Sequence, residues 1–490
     1  MIEEFAEEFA AVQTGQNLGK LSDLDTWDRP EMPWGQRPEW TPPKKPDSEW
    51  WMSWQDESSI SHKWVITFLE DTNISGQTYI SSWDNEHAIL VTWWTVTISD
   101  ATIIKTWNSE WDSADFYWTN AAVIAVDGVL ELNGDSISTD WAHANAVFAY
   151  GSGEVQISDS NIDTSGDNSW WIMVTWWGKL VAKNLTISTK WKSSAAIRSD
   201  RWGGSINVDG WTYQTSGLWS PAIYSTADIT VKNAQLISTK SEWAIVEWKN
   251  SITILDSTLD DANVELNWQS ETYKNIFLYQ SMSGDADEWT ASFTAKNSKI
   301  TTKNGDTIYV TNTKAKVLLE NNEITNDSWD FMRIEWAAWG KEGSNGWNVT
   351  LNLVNQKVEW NIVVDDISSL NMKLQKGSSF VWAINSENQS KDISLKLDEN
   401  SSWTLQSDSY ISEIQSDMTW YSNIDLNGYT LYVWEKAITS TDMLAQDEAI
   451  ATVGVANGEW YSSNDLIIWW IWVVAIVVAL WICISIYFKK

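Results

Sequence analysis

A short pattern of apolar and polar positions repeats along most of the chain. It is clearest from Pro221 to Thr258, where PAIYSTADITVKNAQLISTK is followed by SEWAIVEWKNSITILDST. Each half contains three short stretches in which apolar and polar residues alternate, separated by one or two break residues. Alternation with a period of two is typical of β-strands with one buried face. The pattern therefore predicts a unit of three short strands.

Copies of this unit recur about every 20 to 25 residues, a period typical of solenoids, whose repeats pack only on their neighbours. The array begins near Val65 or Tyr79 and continues, with looser rhythm beyond Asp330, to about residue 440. We therefore predict an all-β fold, a right-handed parallel β-helix. Further copies begin at Ala88, Ala121, Asn145, Trp171 and Asp306.

Asparagines recur at the corner before the third strand of the unit, at Asn184, Asn233, Asn297 and Asn321. Asparagine tolerates the left-handed backbone of a tight corner, and its amide can bond to the same residue one turn away. We predict a stacked asparagine ladder with a structural role.

The regions outside the repeats differ sharply in composition. Residues 1–27 form an acidic N-terminal segment, and residues 28–60 carry six of the seven prolines, which predicts a disordered linker. The solenoid is assigned to 65–440 and a polar spacer to 441–465. The first 24 residues have neither a basic region nor an apolar stretch, so they are not a recognisable signal peptide.

The last segment, Leu466 to Phe488, contains no charged residue and is long enough to cross a bilayer. Lys489 and Lys490 follow it, and by the positive-inside rule they stay in the cytoplasm. The alternative, a buried core helix, does not explain this length of uninterrupted apolar sequence. We predict a C-terminal transmembrane helix.

Charge and composition narrow the possible partners. The chain has 32 Lys and Arg against 66 Asp and Glu, a net charge of -34, whereas nucleic acids and anionic lipids demand a basic surface. The single cysteine, Cys483, and three histidines provide no disulfide framework and no His-based zinc site. We therefore expect no nucleic acid partner and no required cofactor.

Tryptophan is abnormally frequent, with 40 residues against 23 glycines. Between the first and second strands, Trp176-Trp177 occupies the place of Gly151-Ser152-Gly153 in the preceding copy. Such turns need a positive φ, which glycine adopts freely and a bulky residue does not. We hypothesise that most tryptophans correspond to UGA codons that the organism reads as glycine. The alternative is a Trp-rich protein with aromatic binding platforms; Trp403 and Trp460 lie outside evident glycine positions.

Only weak candidate sites for chemistry are present. Arg198, Asp200 and Arg201 form a compact cluster of charged residues that suits acid-base chemistry, but a solvated turn with an ion pair of little consequence is the favoured interpretation. Asp285, Asp287 and Glu288 are calcium candidates, although they lack the ligand spacing of an EF-hand loop.

From about Ile80 to Val433 the repeat sequence resembles that of the adhesin-like parallel β-helix surface proteins of anaerobic bacteria. It is close at Pro221 to Leu259 and again at Asn275 to Thr313. Over the whole region the similarity is closer with glycine in place of Trp219, Trp243, Trp248 and Trp289. The resemblance implies the fold and a location at the cell surface, and it carries no catalytic residues. Such proteins are exported by a signal peptide, so we expect an export signal upstream of Met1.

Three functions compete. We expect a bacterial membrane-anchored surface protein of adhesin type, non-catalytic, with an extracellular solenoid that contacts carbohydrate or protein. The alternative is a polysaccharide-active lyase or hydrolase, which predicts a row of charged side chains from successive turns on one face. A tail-anchored cytosolic scaffold would follow only if no export signal exists.

Overall fold

The computed structural model describes residues 63–107, 119–200, 203–261, 263–264, 266, 272–280, 290–327, 330–336, 346–390, 392–418, 421–434 and 436–438. The predicted N-terminal segment, linker, spacer and membrane span lie outside these ranges. Within them no helix is long and apolar enough to cross a bilayer.

The chain coils into a parallel β-solenoid of about 14 turns, which confirms the predicted all-β repeat architecture. Most turns contribute three strands, and each strand pairs in parallel with the corresponding strand of the next turn. We call one such turn a rung. The strands are numbered β1 to β41 in chain order.

The first sheet takes the opening strand of each rung and has 12 strands. They are β1 (Lys63–Thr67), β4 (Glu86–Thr92), β7 (Ala121–Val126), β10 (Asn145–Tyr150), β13 (Ile172–Thr175), β16 (Ile197–Ser199), β18 (Ile223–Ser225), β20 (Ala244–Glu247), β23 (Lys274–Tyr279), β26 (Asp306–Thr311), β29 (Asp330–Ile334) and β32 (Asn361–Val364).

The second strands of the rungs form another continuous ladder. They are β2 (Thr72–Ser75), β5 (Thr95–Ser99), β8 (Val129–Asn133), β11 (Glu154–Ser158), β14 (Lys179–Lys183), β17 (Ser205–Thr215), β19 (Asp228–Ser238), β21 (Ser251–Leu255), β24 (Thr290–Lys296), β27 (Lys314–Glu320), β30 (Asn348–Val354), β33 (Ser369–Gln375), β35 (Asp392–Leu397) and β38 (Glu413–Ser416).

The third strands are short and pair among themselves. They are β3 (Thr78–Ser81), β6 (Thr102–Lys105), β9 (Ser136–Thr139), β12 (Asn161–Thr164), β15 (Thr186–Thr189), β22 (Thr258–Asp261), β25 (Lys299–Thr302) and β28 (Glu323–Asn326). In two rungs the second and third strands are one strand, β17 or β19, so the two ladders join.

The C-terminal rungs form two smaller sheets. One consists of β31 (Lys357–Glu359), β34 (Ser379–Val381), β36 (Ser402–Thr404) and β39 (Ile424–Asp425). The other consists of β37 (Ser409–Ile411), β40 (Leu431–Val433) and β41 (Lys436–Ile438). Because β41 pairs with β40 in the antiparallel direction, it interrupts the parallel stacking at this end.

Alternation holds in the second and third ladders but not in the first sheet. Ile229 and Val231 are buried while Thr230 between them is half-buried, as the pattern predicts. In β4, β7, β13, β20 and β26, by contrast, every residue is buried. Parallel strands that are covered on both faces are apolar throughout, so period two disappears from their sequence.

The predicted ladder exists at the corner before the third strand. Asn321 Nδ2 donates to Asn297 Oδ1 over 2.9 Å, and Asn355 Nδ2 donates to Asn321 Oδ1 over 3.1 Å. Aspartates occupy some of the same corner positions in the ladder: the Asn184 amide donates to Asp159. These residues have φ near +50°, which their short polar side chains tolerate. The ladder thus satisfies the polar side chains of these left-handed corner residues.

Several tryptophans have the backbone that the sequence predicts for glycine. Trp177 has φ +69° and Trp248 has φ +63°. Trp141, Trp360 and Trp382 have φ of +114°, +125° and +127°, in a region that side chains rarely adopt. These tryptophans therefore hold strained backbone conformations.

Neighbouring rungs carry glycine at equivalent turns. Gly166 follows Trp141 by one rung, and a Cβ atom on it would lie 1.8 Å from the Trp141 carbonyl oxygen. Trp243 differs from the turn prediction, because its side chain is fully buried and its ring lies 5.8 Å from that of Phe293. Trp243 is therefore a core residue.

Candidate functional site

One position in eleven of the twelve first-sheet strands, from β4 to β32, lines up along the solenoid. The register pairs each member with the next, over eleven rungs. We call it the outer column, since its charged members reach the surface and residues in register point to the same side of a sheet. It consists of Leu90, Ile124, Phe148, Met173, Arg198, Tyr224, Ile245, Phe277, Tyr309, Arg333 and Val363.

The outer column changes character along the solenoid axis. Its first four residues, Leu90 to Met173, are apolar and at most 1% exposed. From Arg198 onward it carries guanidinium and phenol groups, and charged residues occur beside it. We call this part the acid-aromatic row; it comprises Arg198, Asp200, Tyr224, Glu247, Lys274, Phe277, Tyr279, Asp306, Tyr309, Asp330, Arg333 and Glu335.

Arg198 lies between two aromatic rings. Its guanidinium carbon is 3.7 Å from the Trp170 ring centroid and 4.8 Å from that of Tyr224. Its Nη2 atom is 2.6 Å from Asp200 Oδ2, and the two side chains are 16% and 13% exposed. The solvated-turn interpretation of this pair is therefore wrong, because both groups are largely buried on a sheet face. Arg201, the third candidate, lies outside the described residues.

The next rungs bring two phenols to one carboxylate. The Tyr224 hydroxyl donates to Glu247 Oε2 over 2.5 Å and lies 3.0 Å from the Tyr279 hydroxyl. The Tyr279 hydroxyl is also 3.5 Å from the same carboxylate oxygen. Burial first, and the Glu247 charge second, raise the pKa of both tyrosines well above the usual value. They are therefore proton donors and not phenolate nucleophiles.

Arg333 organises the far end of the row. Its Nε donates to Asp306 Oδ2 over 2.8 Å, its Nη2 pairs with Asp330, and its Nη1 is 3.6 Å from Glu335. The Tyr309 hydroxyl donates to Glu335 Oε1 over 2.8 Å. Burial outweighs the attraction of Arg333 and raises the pKa of Asp306 to about 7. This end therefore contains a carboxyl group that exchanges its proton near neutral pH.

Lys274 and Phe277 connect the two ends. The Lys274 ammonium lies 4.4 Å from the Phe277 ring centroid and 4.9 Å from that of Tyr309, and burial lowers its pKa. The rings of Phe277 and Tyr279 are stacked at 4.4 Å with an interplanar angle of 10°. The row therefore combines aromatic rings with hydrogen-bonding groups, and Phe277 and Tyr309 are each 6% exposed.

This arrangement suits recognition of a polar ligand that has apolar faces. Carboxylates, guanidinium groups and phenols hydrogen-bond hydroxyl groups, and aromatic rings pack against C–H surfaces. Among the described residues no cluster of three or more His, Cys, Asp or Glu could hold a metal ion. The calcium candidates Asp285, Asp287 and Glu288 lie outside those residues.

Of the acid-aromatic row, the sequence alone singled out only Arg198 and Asp200. It missed Tyr224, Glu247 and Arg333, although a signal was present. When the first strands of successive repeats are aligned, one position is apolar in the early repeats and includes Arg and Tyr in the later ones. Such a switch at a fixed slot indicates a functional part of a repeat surface.

Comparison of the chain with protein-family models, curated proteins and solved structures finds no match.

Proposed function

We propose that this protein is a membrane-anchored, cell-surface solenoid of adhesin type that binds glycans through the acid-aromatic row. The observation that carries the proposal is the combination of aromatic rings and hydrogen-bonding groups along one face of the solenoid. Glycan recognition needs both, because each sugar ring has apolar C–H faces and a rim of hydroxyl groups. The right-handed sense of the coil belongs to the same proposal and follows the usual handedness of parallel connections.

Non-catalytic binding explains the row better than bond cleavage. Glycoside hydrolysis uses two carboxyl groups that flank the scissile bond, one of them free to donate a proton. Here Glu247 accepts from Tyr224 and lies near Tyr279, and Asp306, Asp330 and Glu335 surround Arg333. These contacts satisfy the carboxylates and hold them rigidly in place, which favours a preformed binding surface.

A polysaccharide-active enzyme is the second candidate. Charged side chains from successive rungs do share one face, as that hypothesis predicts, and Asp306 has a pKa of about 7, suitable for a general acid. Release of reducing or unsaturated ends from a panel of polysaccharides, lost in Asp306→Asn, would establish this candidate in place of the non-catalytic proposal.

Substitutions in the row test the glycan proposal. Tyr279→Phe removes one hydroxyl and is expected to weaken binding of the best ligand in a glycan array about tenfold, because one hydrogen bond contributes about 1 kcal/mol or slightly more. Tyr429→Phe is the matched control, since Tyr429 lies outside the row and is 39% exposed. Titration calorimetry measures both affinities. Equal affinities of the two variants, or no glycan bound at all, would contradict the proposal.

Anchoring and surface exposure are tested in the bacterial cells that produce the protein. We expect the full chain to remain in the membrane after an alkaline wash, and a chain ended before Leu466 to be released, because the apolar segment 466–488 is then missing. An impermeant amine reagent should label exposed solenoid lysines such as Lys299 on intact cells. Labelling only after lysis would instead support the tail-anchored cytosolic scaffold.

A further inference from the structure

Resting on the proposed function, we infer that the ligand is a linear glycan of uncharged or amino-bearing sugars that lies along the solenoid axis, with about one sugar per rung. The geometry of the acid-aromatic row carries this inference in three steps: its direction, its length and its charge.

The direction follows from the register. The outer column places one side chain on each rung from Arg198 to Arg333 without a gap. Across the sheet, the row is narrow because the strands are short: Glu247 and Tyr279 lie two residues beyond their column members, and Lys274, Asp306 and Asp330 lie three residues before theirs. The recognition groups therefore extend along the axis, and a chain lying across the sheet would meet at most three of them.

The length follows from the strand spacing. Neighbouring strands are about 4.8 Å apart, so the five steps from Arg198 to Arg333 cover about 24 Å. This spacing is close to the length of one pyranose unit in an extended chain, so such a chain advances by about one sugar per rung. Six rungs therefore accommodate an oligosaccharide of about six units.

The charge of the row decides the class of sugar. Three cationic side chains, Arg198, Lys274 and Arg333, face five carboxyl groups, and the whole chain carries -34. Arg198 and Arg333 are already held by Asp200 and by three carboxyl groups, respectively. A uronate or sulfated sugar would add like charge to this face. Uncharged sugars avoid that repulsion, and protonated amino sugars are attracted by the net negative charge.

Partly exposed side chains make the contacts with the glycan. Arg333 and Glu335 are 23% and 31% exposed in their side chains, whereas Asp306 is 3% exposed. Tyr224 and Tyr279 are also half-buried. Glu247, Phe277 and Tyr309 are only 8%, 6% and 6% exposed. The more exposed groups therefore touch the ligand, and the buried side chains beside them fix their orientation.

A length series tests the inference with the full chain. The probes are β-1,4-linked oligomers of glucose, N-acetylglucosamine and glucosamine with two to eight units, and galacturonate oligomers of equal length. Affinity in titration calorimetry is expected to rise about tenfold or more between two and six units and then to level off. Galacturonate oligomers are expected to bind at least about tenfold more weakly.

A variant at one end of the row tests whether the ligand lies along the solenoid axis. Arg198→Met is expected to weaken six-unit oligomers and to leave three-unit oligomers unchanged, since short probes can bind at the Arg333 end; circular dichroism checks the fold. Affinity that levels off at two or three units would overturn the axial arrangement while leaving glycan binding intact. Tighter binding of galacturonate would overturn the sugar class, and binding of none of the probes, together with an empty glycan array, would overturn the proposed function itself.

Discussion

Replacement of Trp141, Trp360 and Trp382 by glycine is expected to stabilise the solenoid. At φ of +114° to +127° a side chain forces the backbone into a conformation that costs about 1–3 kcal/mol per residue, and glycine removes this strain. Glycine loses more backbone entropy on folding, by about 0.5–1 kcal/mol. We therefore expect a net gain of about 1 kcal/mol per position in denaturant unfolding of the full chain.

Trp403→Gly is the matched control. Trp403 is fully buried, its ring lies 6.3 Å from Phe380, and its Nε1 donates to the Trp382 carbonyl over 3.0 Å. Its removal leaves a large core cavity, so we expect a loss of about 3–5 kcal/mol. Destabilisation by glycine at Trp141, which is 53% exposed, would contradict the strain argument.

The same backbone observation supports our proposal that these codons are read as glycine in the source organism. A tryptophan at such a turn strains the backbone at every position where it occurs, whereas glycine adopts the same φ without strain. Peptides of the native protein should therefore contain glycine at Trp141, Trp360 and Trp382 and tryptophan at Trp403. Mass spectrometry of the protein from its own cells decides each position, and UGG codons at the first three would exclude the proposal.

Removal of Arg333 is expected to have the second large effect. Arg333→Met leaves Asp306, 2% exposed, without its ion-pair partner, and breaking a buried pair from one side costs about 3–5 kcal/mol. Lys299→Met is the matched control, because its pair with Glu323 is exposed and is worth less than about 1 kcal/mol. Equal losses in the two variants would show that the Arg333 network contributes little.

The pH dependence gives an independent check of this network. The pKa of Asp306 in the folded chain, about 7, lies above the unfolded value of 3.8, so the folded state binds more protons between these limits. The stability that this proton contributes is complete below pH 3.8 and is lost as the pH rises through about 7. We expect Asp306→Asn to flatten this slope, and the loss in Arg333→Met to be larger at pH 8 than at pH 5.

Different interactions hold the arginines at the two ends of the row. At the near end, Arg198 is held by ring faces and one carboxylate, an arrangement that keeps a cation flat on the surface. At the far end, Arg333 holds three carboxyl groups together and so compensates their mutual repulsion. A binding surface needs both: flat areas for sugar faces and fixed polar groups for hydroxyl recognition.

The repeat, its strands and the corner ladder were determined by the sequence itself. Strand alternation such as Ile229-Thr230-Val231, and the left-handed corner at Asn233, depend on neighbours in the chain. The turn positions of Trp177 and Trp248 were likewise evident, because a positive φ is a local requirement. Local geometry and side-chain period therefore suffice for this level of structure.

Only the tertiary structure decided which residues meet on the outer face. Several strands of the first sheet are buried on both sides, so their sequence does not distinguish inward from outward positions, and period two is lost. Arg198 meets Trp170 and Tyr224, and Arg333 meets Asp306, only because the rungs stack in register. That register depends on the length of every loop between the strands, and core packing and hydrogen bonding across the whole coil select it.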